Sequence, residues 1–203
     1  MFRTLGLFFS LFVCVACQSQ EGAAPPAAAP PPVSSAPAVA SASVAASPPE
    51  PLPTAPPELA LPVGSKLVLK ARGKGVQIYV CTAKPDDAKA FEWKLKAPEA
   101  DLFDEQGQKV AHHFAGPTWQ ATDGSSVVGN LLQKVDGPDP QAIPWLLLAA
   151  KETKGPGLFE HIARVQRLDT SGGKAQPAGC DSAHTAAEQR VPYEATYYFY
   201  SAN

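Results

Sequence analysis

The chain has 203 residues, with 17 Lys and Arg against 19 Asp and Glu, and a formal net charge of -2 at pH 7. Its basic residues are scattered and form no basic stripe. This charge pattern excludes the class of proteins that bind nucleic acid or an anionic membrane surface through a basic face.

The N-terminus, MFRTLGLFFSLFVCVAC, predicts an export signal. A single basic residue, Arg3, precedes an apolar run over residues 5–16. Such a run is too short to span a bilayer and is typical of a signal peptide. We therefore predict a lipoprotein signal peptide over residues 1–16.

Residues 14–17, CVAC, resemble a bacterial lipobox, in which a small residue precedes a cysteine that receives a lipid. Ala16 and Cys17 fit this pattern, whereas Cys14 stands where leucine is usual. We expect lipid on Cys17 to anchor the protein to a membrane, since several acyl chains give stable binding. Gln18 is not the aspartate that retains lipoproteins at the inner membrane, so we expect an outer-membrane lipoprotein in the cell envelope, on its periplasmic or surface face. An ordinary cleaved signal that leaves a soluble protein is the alternative.

Residues 17–62 are nearly all Ala, Pro, Ser and Val, and they have no periodic apolar face. This composition predicts a disordered linker that is dispensable for folding. The remaining residues, 63–203, have the length of one domain with a core of its own.

Several segments of this domain have the period-2 pattern of strands. In FEWKLK, the apolar residues Phe91, Trp93 and Leu95 alternate with charged ones, which predicts one face on the core. The segments KLVLKA, VQIYVCTA and YEATYYFY are predicted as strands on the same grounds.

The intervening residues favour tight turns. Asp104-Glu105-Gln106-Gly107 predicts a turn, and Asp123-Gly124 predicts a type I′ hairpin. The segment PWLLLAAKETKGPG fits either a helix or a strand buried on both faces, and we favour the strand. Short strands separated by Gly and Pro predict an all-β domain, a single antiparallel β-sandwich or barrel.

A series of motifs follows in order along the domain: GVQIYVC (75–81), APEADLFD (97–104), HHFAGPTW (112–119), DGSSVVG (123–129), IPWLLL (143–148), VQRLDTSGG (165–173), Cys180 and VPYEATYYFY (191–200). Together they resemble a secreted family of bacteria and fungi, domain-of-unknown-function family 3455. The resemblance covers essentially the whole domain and implies a recurring extracytoplasmic module, but no activity.

The stretch AHHFAGPTWQATDGSS, residues 111–126, concentrates candidate binding residues: His112, His113, Trp119 and Asp123. Adjacent histidines on a strand point to opposite faces, so the two cannot ligate one metal without a bulge. A metal-dependent or hydrolytic enzyme would need His113, Asp123 and a further ligand to converge. The alternative is structural, with His112 as a hydrogen-bonded core histidine and Asp123 in a turn, and we favour it, with no metal and no catalytic residue assigned.

Motifs for nucleophilic and nucleotide chemistry fail on local context. Ser171-Gly172-Gly173-Lys174 has the spacing of an S-x-x-K motif, but two glycines favour a turn over the helix it requires. Gly73-Lys74-Gly75 lacks the third glycine of a nucleotide-binding loop, and no alternating βα pattern surrounds it. We therefore expect no nucleotide and no cofactor.

Three functions remain open. The first, which we favour, is a non-enzymatic binding or structural lipoprotein for a small molecule, a glycan or a protein, because Tyr and Trp residues on strands can line a ligand site. The second is the enzyme that uses residues 112–126. The third is a β-barrel inhibitor of a cell-wall hydrolase, because Tyr79-Val80-Cys81 resembles the tyrosine-cysteine strand of lysozyme-inhibitor lipoproteins.

The cysteines predict one disulfide. Cys14 leaves with the signal and Cys17 carries lipid, so Cys81 and Cys180 have only each other in an oxidising compartment. A bridge between them would bring the last strand close to the strand that carries Cys81.

Overall fold

The computed structural model describes residues 53–202, which form one closed antiparallel barrel of eight strands. The all-β prediction is confirmed, and of the two predicted architectures, sandwich and barrel, the domain has the barrel. Within this range no helix is long and apolar enough to cross a membrane. The signal peptide, Cys17 and linker residues 18–52 lie outside the described residues. The strands are β1 Lys66–Lys84, β2 Asp87–Phe103, β3 Lys109–Phe114, β4 Thr118–Ala121, β5 Ser126–Val135, β6 Trp145–Lys154, β7 Ile162–Gly172 and β8 Glu188–Ser201.

Each strand pairs with its neighbour in sequence, and β8 closes the ring against β1. The predicted strands KLVLKA and VQIYVCTA are one continuous strand, β1, whose pairing with β8 runs from Lys66↔Ser201 to Val80↔Glu188. Gly73 lies on β1 where the Tyr197 ring crosses it, and a Cβ there would be 2.5 Å from that ring. Glycine therefore lets a large aromatic side chain fill the barrel at this position.

Alternation along β8 separates the inside of the barrel from the outside. Tyr197 and Phe199 pack in the interior, whereas Tyr198 and Tyr200 pack in a second cluster on the outer face. The interior cluster is made of inward residues from the strands and the loop before β7, and its largest fully buried members are Trp119, Tyr197, Phe159, Phe199, Leu102, Val127 and Val165.

The predicted turns are present, and PWLLLAAKETKGPG contributes the strand β6. The hairpin between β4 and β5 is confirmed, but its type I′ assignment is wrong. That turn needs positive φ at both central residues, whereas Gly124 (φ 90°) has it and Asp123 does not. Ala121 N–H donates to the Ser125 carbonyl across a three-residue loop, so only the last loop position takes the left-handed conformation.

The FEWKLK segment does not present a core face as predicted. Residues 87–98 of β2 pair with β1 alone, since β3 joins β2 only from Ala100 onward. This half of the hairpin extends beyond the closed barrel, so Leu95 is 51% exposed and the Trp93 indole donates to the Ala178 carbonyl instead of entering the core.

Residues 53–62, which the sequence analysis assigned to the linker, pack on the outer face of the barrel. Leu59 ends a 3-10 turn and is 0% exposed, in the cluster that contains Tyr198 and Tyr200. Its carbonyl accepts a 2.7 Å hydrogen bond from the buried Gln166 amide. The folded domain therefore includes this segment.

The predicted disulfide is confirmed. Cys81 and Cys180 are bonded, with Cα atoms 5.3 Å apart and 99 residues of separation. The bridge ties β1 to the loop before β8, so it reinforces the two strands that close the barrel.

Candidate functional site

The barrel contains a cavity of about 480 Å³ that opens at one end. Its mouth lies between the part of the β1–β2 hairpin that projects beyond the barrel, which includes residues 87–98, the β3–β4 turn and the loop before β6. Leu95 and Leu131 lie at this mouth, and each is 51% exposed. The opposite end is filled by the stacked rings of Phe159 and Phe199, 4.7 Å apart. Every strand contributes to the lining, which includes Gln77, Tyr79, Ala97, His113, Trp119, Leu131, Leu146, Arg167 and Tyr197.

His113 and Trp119 form one wall of the cavity. Their rings lie parallel, 4.4 Å apart, and the Tyr197 ring meets both edge-on. The His113 Nδ1 lies 2.9 Å from the Thr118 carbonyl. Because a carbonyl can only accept, Nδ1 carries the proton and Nε2 is left as an acceptor. Burial lowers the pKa of His113 to about 3, and the nearby Arg167 charge acts in the same direction. His113 is therefore a neutral, fixed part of the wall.

Arg167 brings a positive charge into the barrel. Its side chain extends inward from β7 and is 9% exposed. Its Nε and Nη2 donate to the Pro144 carbonyl at 3.2 and 2.7 Å. Together with the bond from Thr170 Oγ1 to the Ile143 carbonyl, 2.6 Å, these contacts hold the loop before β6 at the cavity mouth.

Polar side chains from β1 and β8 lie beside this arginine. The Tyr193 and Tyr197 hydroxyls are 3.0 Å apart, and burial raises the pKa of both, so both are neutral. The Tyr79 hydroxyl donates to the Gly173 carbonyl at 2.7 Å. Gln77 lines the cavity, is 1% exposed, and its Nε2 has no hydrogen-bond partner among residues 53–202.

Of the four predicted binding residues, two line the cavity and two do not. His113 and Trp119 line it. His112 was expected as a core histidine, but its side chain is 42% exposed, and its Nδ1 lies 2.9 Å from Asp101 Oδ1. Partial burial acts to raise the pKa of the Asp101 carboxyl, but hydrogen bonds from Lys109 and His112 outweigh this effect and hold the pKa below its usual range. The two histidines face opposite ways, as predicted, but His113 is the one that lies inside the barrel.

Asp123 has a structural role. Its carboxylate accepts hydrogen bonds from Ser125 Oγ and N–H and from the Leu158 N–H, which join the β4–β5 hairpin to the loop before β7. The Ser125 and Leu158 bonds hold the pKa of this carboxyl below its usual range. Asp123 does not line the cavity.

The convergence that the enzyme hypothesis required does not occur. His113 and Asp123 are held by separate partners, and within residues 53–202 no three His, Cys, Asp or Glu side chains are placed to hold a metal ion. The S-x-x-K spacing likewise lacks its helix, because β7 ends at Gly172 and both Gly172 and Gly173 have positive φ.

Arg167 and Gln77 were missed by the sequence analysis. The signal was present in their strands: in VQRLD, Arg167 shares the face of Val165, and in GVQIYVC, Gln77 shares the face of Tyr79. A charged or amide side chain on the inward face of an apolar strand indicates a polar feature inside the barrel, because burial of such groups is costly without a partner.

A family model described as "Protein of unknown function (DUF3455)" matches residues 62–201. No curated protein and no solved structure matches the chain.

Proposed function

The chain belongs to the DUF3455 family, whose description assigns no activity, and we propose from the barrel itself that it is an exported, lipid-anchored binding protein for a small, largely apolar molecule. The observation that carries the proposal is the cavity of about 480 Å³ inside the barrel. Ligand sites in proteins are typically concave, mainly apolar and about 300–1,000 Å³ in volume.

The cavity walls favour an apolar ligand with a few polar atoms. Leu131, Leu146, Leu148 and Ile143 supply aliphatic surface, and Trp119 supplies an aromatic face. The buried Nε1 of Trp119 and Nε2 of Gln77 have no protein partner among the described residues. Unsatisfied buried polar atoms destabilise a protein, and a ligand or ordered water that accepts their hydrogen bonds would remove this cost.

The wall is also rigid before any ligand binds. The His113 ring is fixed by its stack on Trp119 and its bond to the Thr118 carbonyl, and Trp119 is fixed edge-on against Tyr197 and Phe199. Gly129 allows the Trp119 ring to lie close to β5, since a Cβ there would be 3.0 Å from it. A preformed site of this kind binds without a large ordering cost.

Binding is tested with pyrenebutanol, an uncharged fluorescent probe with an apolar body, and the full mature protein. Leu131→Trp adds bulk at the cavity mouth, whereas Leu132→Trp adds the same bulk to an adjacent residue, 43% exposed, that does not line the cavity. We expect Leu131→Trp to weaken binding at least about tenfold and Leu132→Trp to leave it unchanged. No binding to the wild type, or equal effects of both variants, would reject the interior site.

Export and anchoring are supported by separate features. The sequence of residues 1–17 has a signal-like apolar run that ends in the lipobox-like CVAC, and the Cys81–Cys180 disulfide suits an oxidising compartment. Mass spectrometry of detergent-extracted protein tests the anchor. An N-terminal peptide that begins with lipid-modified Cys17 is expected, and a water-soluble protein with an unmodified N-terminus beyond residue 17 would refute it.

A further inference from the structure

The guanidinium of Arg167 is a buried charge without a counter-ion. It is 9% exposed, and no carboxylate of residues 53–202 lies within 4.0 Å of it. Its two hydrogen bonds to the Pro144 carbonyl use Nε and one hydrogen of Nη2. The guanidinium also hydrogen-bonds the Tyr197 hydroxyl, so every protein acceptor that it meets is uncharged. A buried charge of this kind is costly unless it is paired, so a partner of opposite charge would be favourable.

All the charged side chains that line the cavity are positive. Its lining contains three cationic side chains, Lys96, Lys134 and Arg167, and no Asp or Glu. Lys96 stands at the mouth, where it pairs with Glu188, so its charge is balanced by the protein. Arg167 lies deeper and is not balanced, so its field favours an anion inside the barrel.

A second donor lies on the lining of the same cavity. Gln77 Nε2 is buried without a partner, on a side chain that is 1% exposed. The Gln77 side chain comes from β1 and the Arg167 side chain from β7, and both line the one cavity. An amide N–H and a guanidinium fork are the donors that bind carboxylates in proteins.

We infer that the ligand of this cavity is an amphipathic monocarboxylate, whose carboxylate binds Arg167 and Gln77 and whose apolar body lies against Trp119 and the leucines toward the mouth. This inference rests on the proposed binding function. A single negative charge is expected because one buried arginine is unbalanced, whereas a phosphate dianion would need further cations at that depth.

The test compares two probes with the same apolar body, pyrenebutyrate and pyrenebutanol. Because hydrogen bonds to charged groups are stronger than neutral ones, we expect wild-type protein to bind pyrenebutyrate about 10- to 100-fold tighter than pyrenebutanol. Arg167→Met should reduce this preference to about one, because it removes the charge that only pyrenebutyrate can pair with. Arg164→Met is the matched control, since Arg164 is on the same strand but does not line the cavity, and it should keep the preference.

The outcomes separate this inference from the proposed function. Equal binding of both probes by the wild type would overturn the carboxylate inference and leave the apolar site intact, whereas binding of neither would reject both. If Arg167→Met does not fold, Arg167→Lys keeps the charge but loses the planar fork, and it should show an intermediate preference. A preference that is identical in wild type and Arg167→Lys and that also survives in Gln77→Leu would overturn the assignment of these two residues.

Discussion

Neutral His113 in the barrel wall should make the protein lose stability on mild acidification. Burial lowers the pKa of His113 to about 3 in the folded protein, against about 6.5 in the unfolded chain. Below pH 6.5 the unfolded state therefore binds a proton that the folded state does not, so stability is full above this pH and falls as the pH drops toward 3. The loss is about 1.4 kcal/mol per pH unit, or roughly 2 to 3 kcal/mol at pH 4.5.

Urea unfolding at pH 7 and pH 4.5 measures this loss. His113→Phe keeps an aromatic ring against Trp119 and Tyr197 but cannot bind a proton. Between pH 7 and pH 4.5 the unfolding free energy of this variant should therefore fall by roughly 2 to 3 kcal/mol less than that of the wild type. An identical loss in His113→Phe and wild type would refute the reasoning.

Three further changes test the packing of the barrel, each by urea unfolding at pH 7. Leu59→Ala should lower the unfolding free energy by about 2 to 4 kcal/mol because Leu59 is fully buried, and a chain that starts at residue 63 should lose at least as much; unchanged stability would show that the segment only rests on the barrel. Removal of the bridge by replacing Cys81 and Cys180 with Ser should cost up to about 5 kcal/mol, given its 99-residue separation, and no loss under oxidising conditions would contradict the bond. Gly73→Ala should cost about 1 to 3 kcal/mol because its Cβ would lie 2.5 Å from a buried ring, and a neutral effect would show that this ring can move.

The strands could be predicted because alternation is a local pattern of the sequence. The disulfide could be predicted because only two cysteines were left to pair. Alternation identified β8 and placed the two adjacent histidines on opposite faces, and the count of cysteines left Cys81 and Cys180 as the one pair. The turn residues located the β4–β5 hairpin, but its type depends on loop length, which Asp123-Gly124 alone does not give.

Other features depend on long-range contacts and were not predictable in the same way. Alternation in FEWKLK shows that one face is apolar, but the pairing of this segment with β1 alone makes it project past the barrel. Alternation shows that His113 faces away from His112, but only the closure of the sheet into a barrel determines that the His113 side is the interior. Leu59 had a weak signal, as a large apolar residue near the end of an Ala- and Pro-rich stretch that otherwise has few of them.

The unequal packing of the two ends of the barrel supports a binding role. Core voids lower stability, so a barrel selected for stability alone would fill both ends, as the rings of Phe159 and Phe199 fill one. The other end keeps a cavity and places an unbalanced Arg167 in it, and each of these features is unfavourable by itself. The Cys81–Cys180 bridge lies on this open side, near Tyr79 of the cavity lining, where it constrains the β1–β8 seam without filling the space. A covalent tie at the seam thus offsets part of the stability that the cavity costs and leaves the interior free for a ligand.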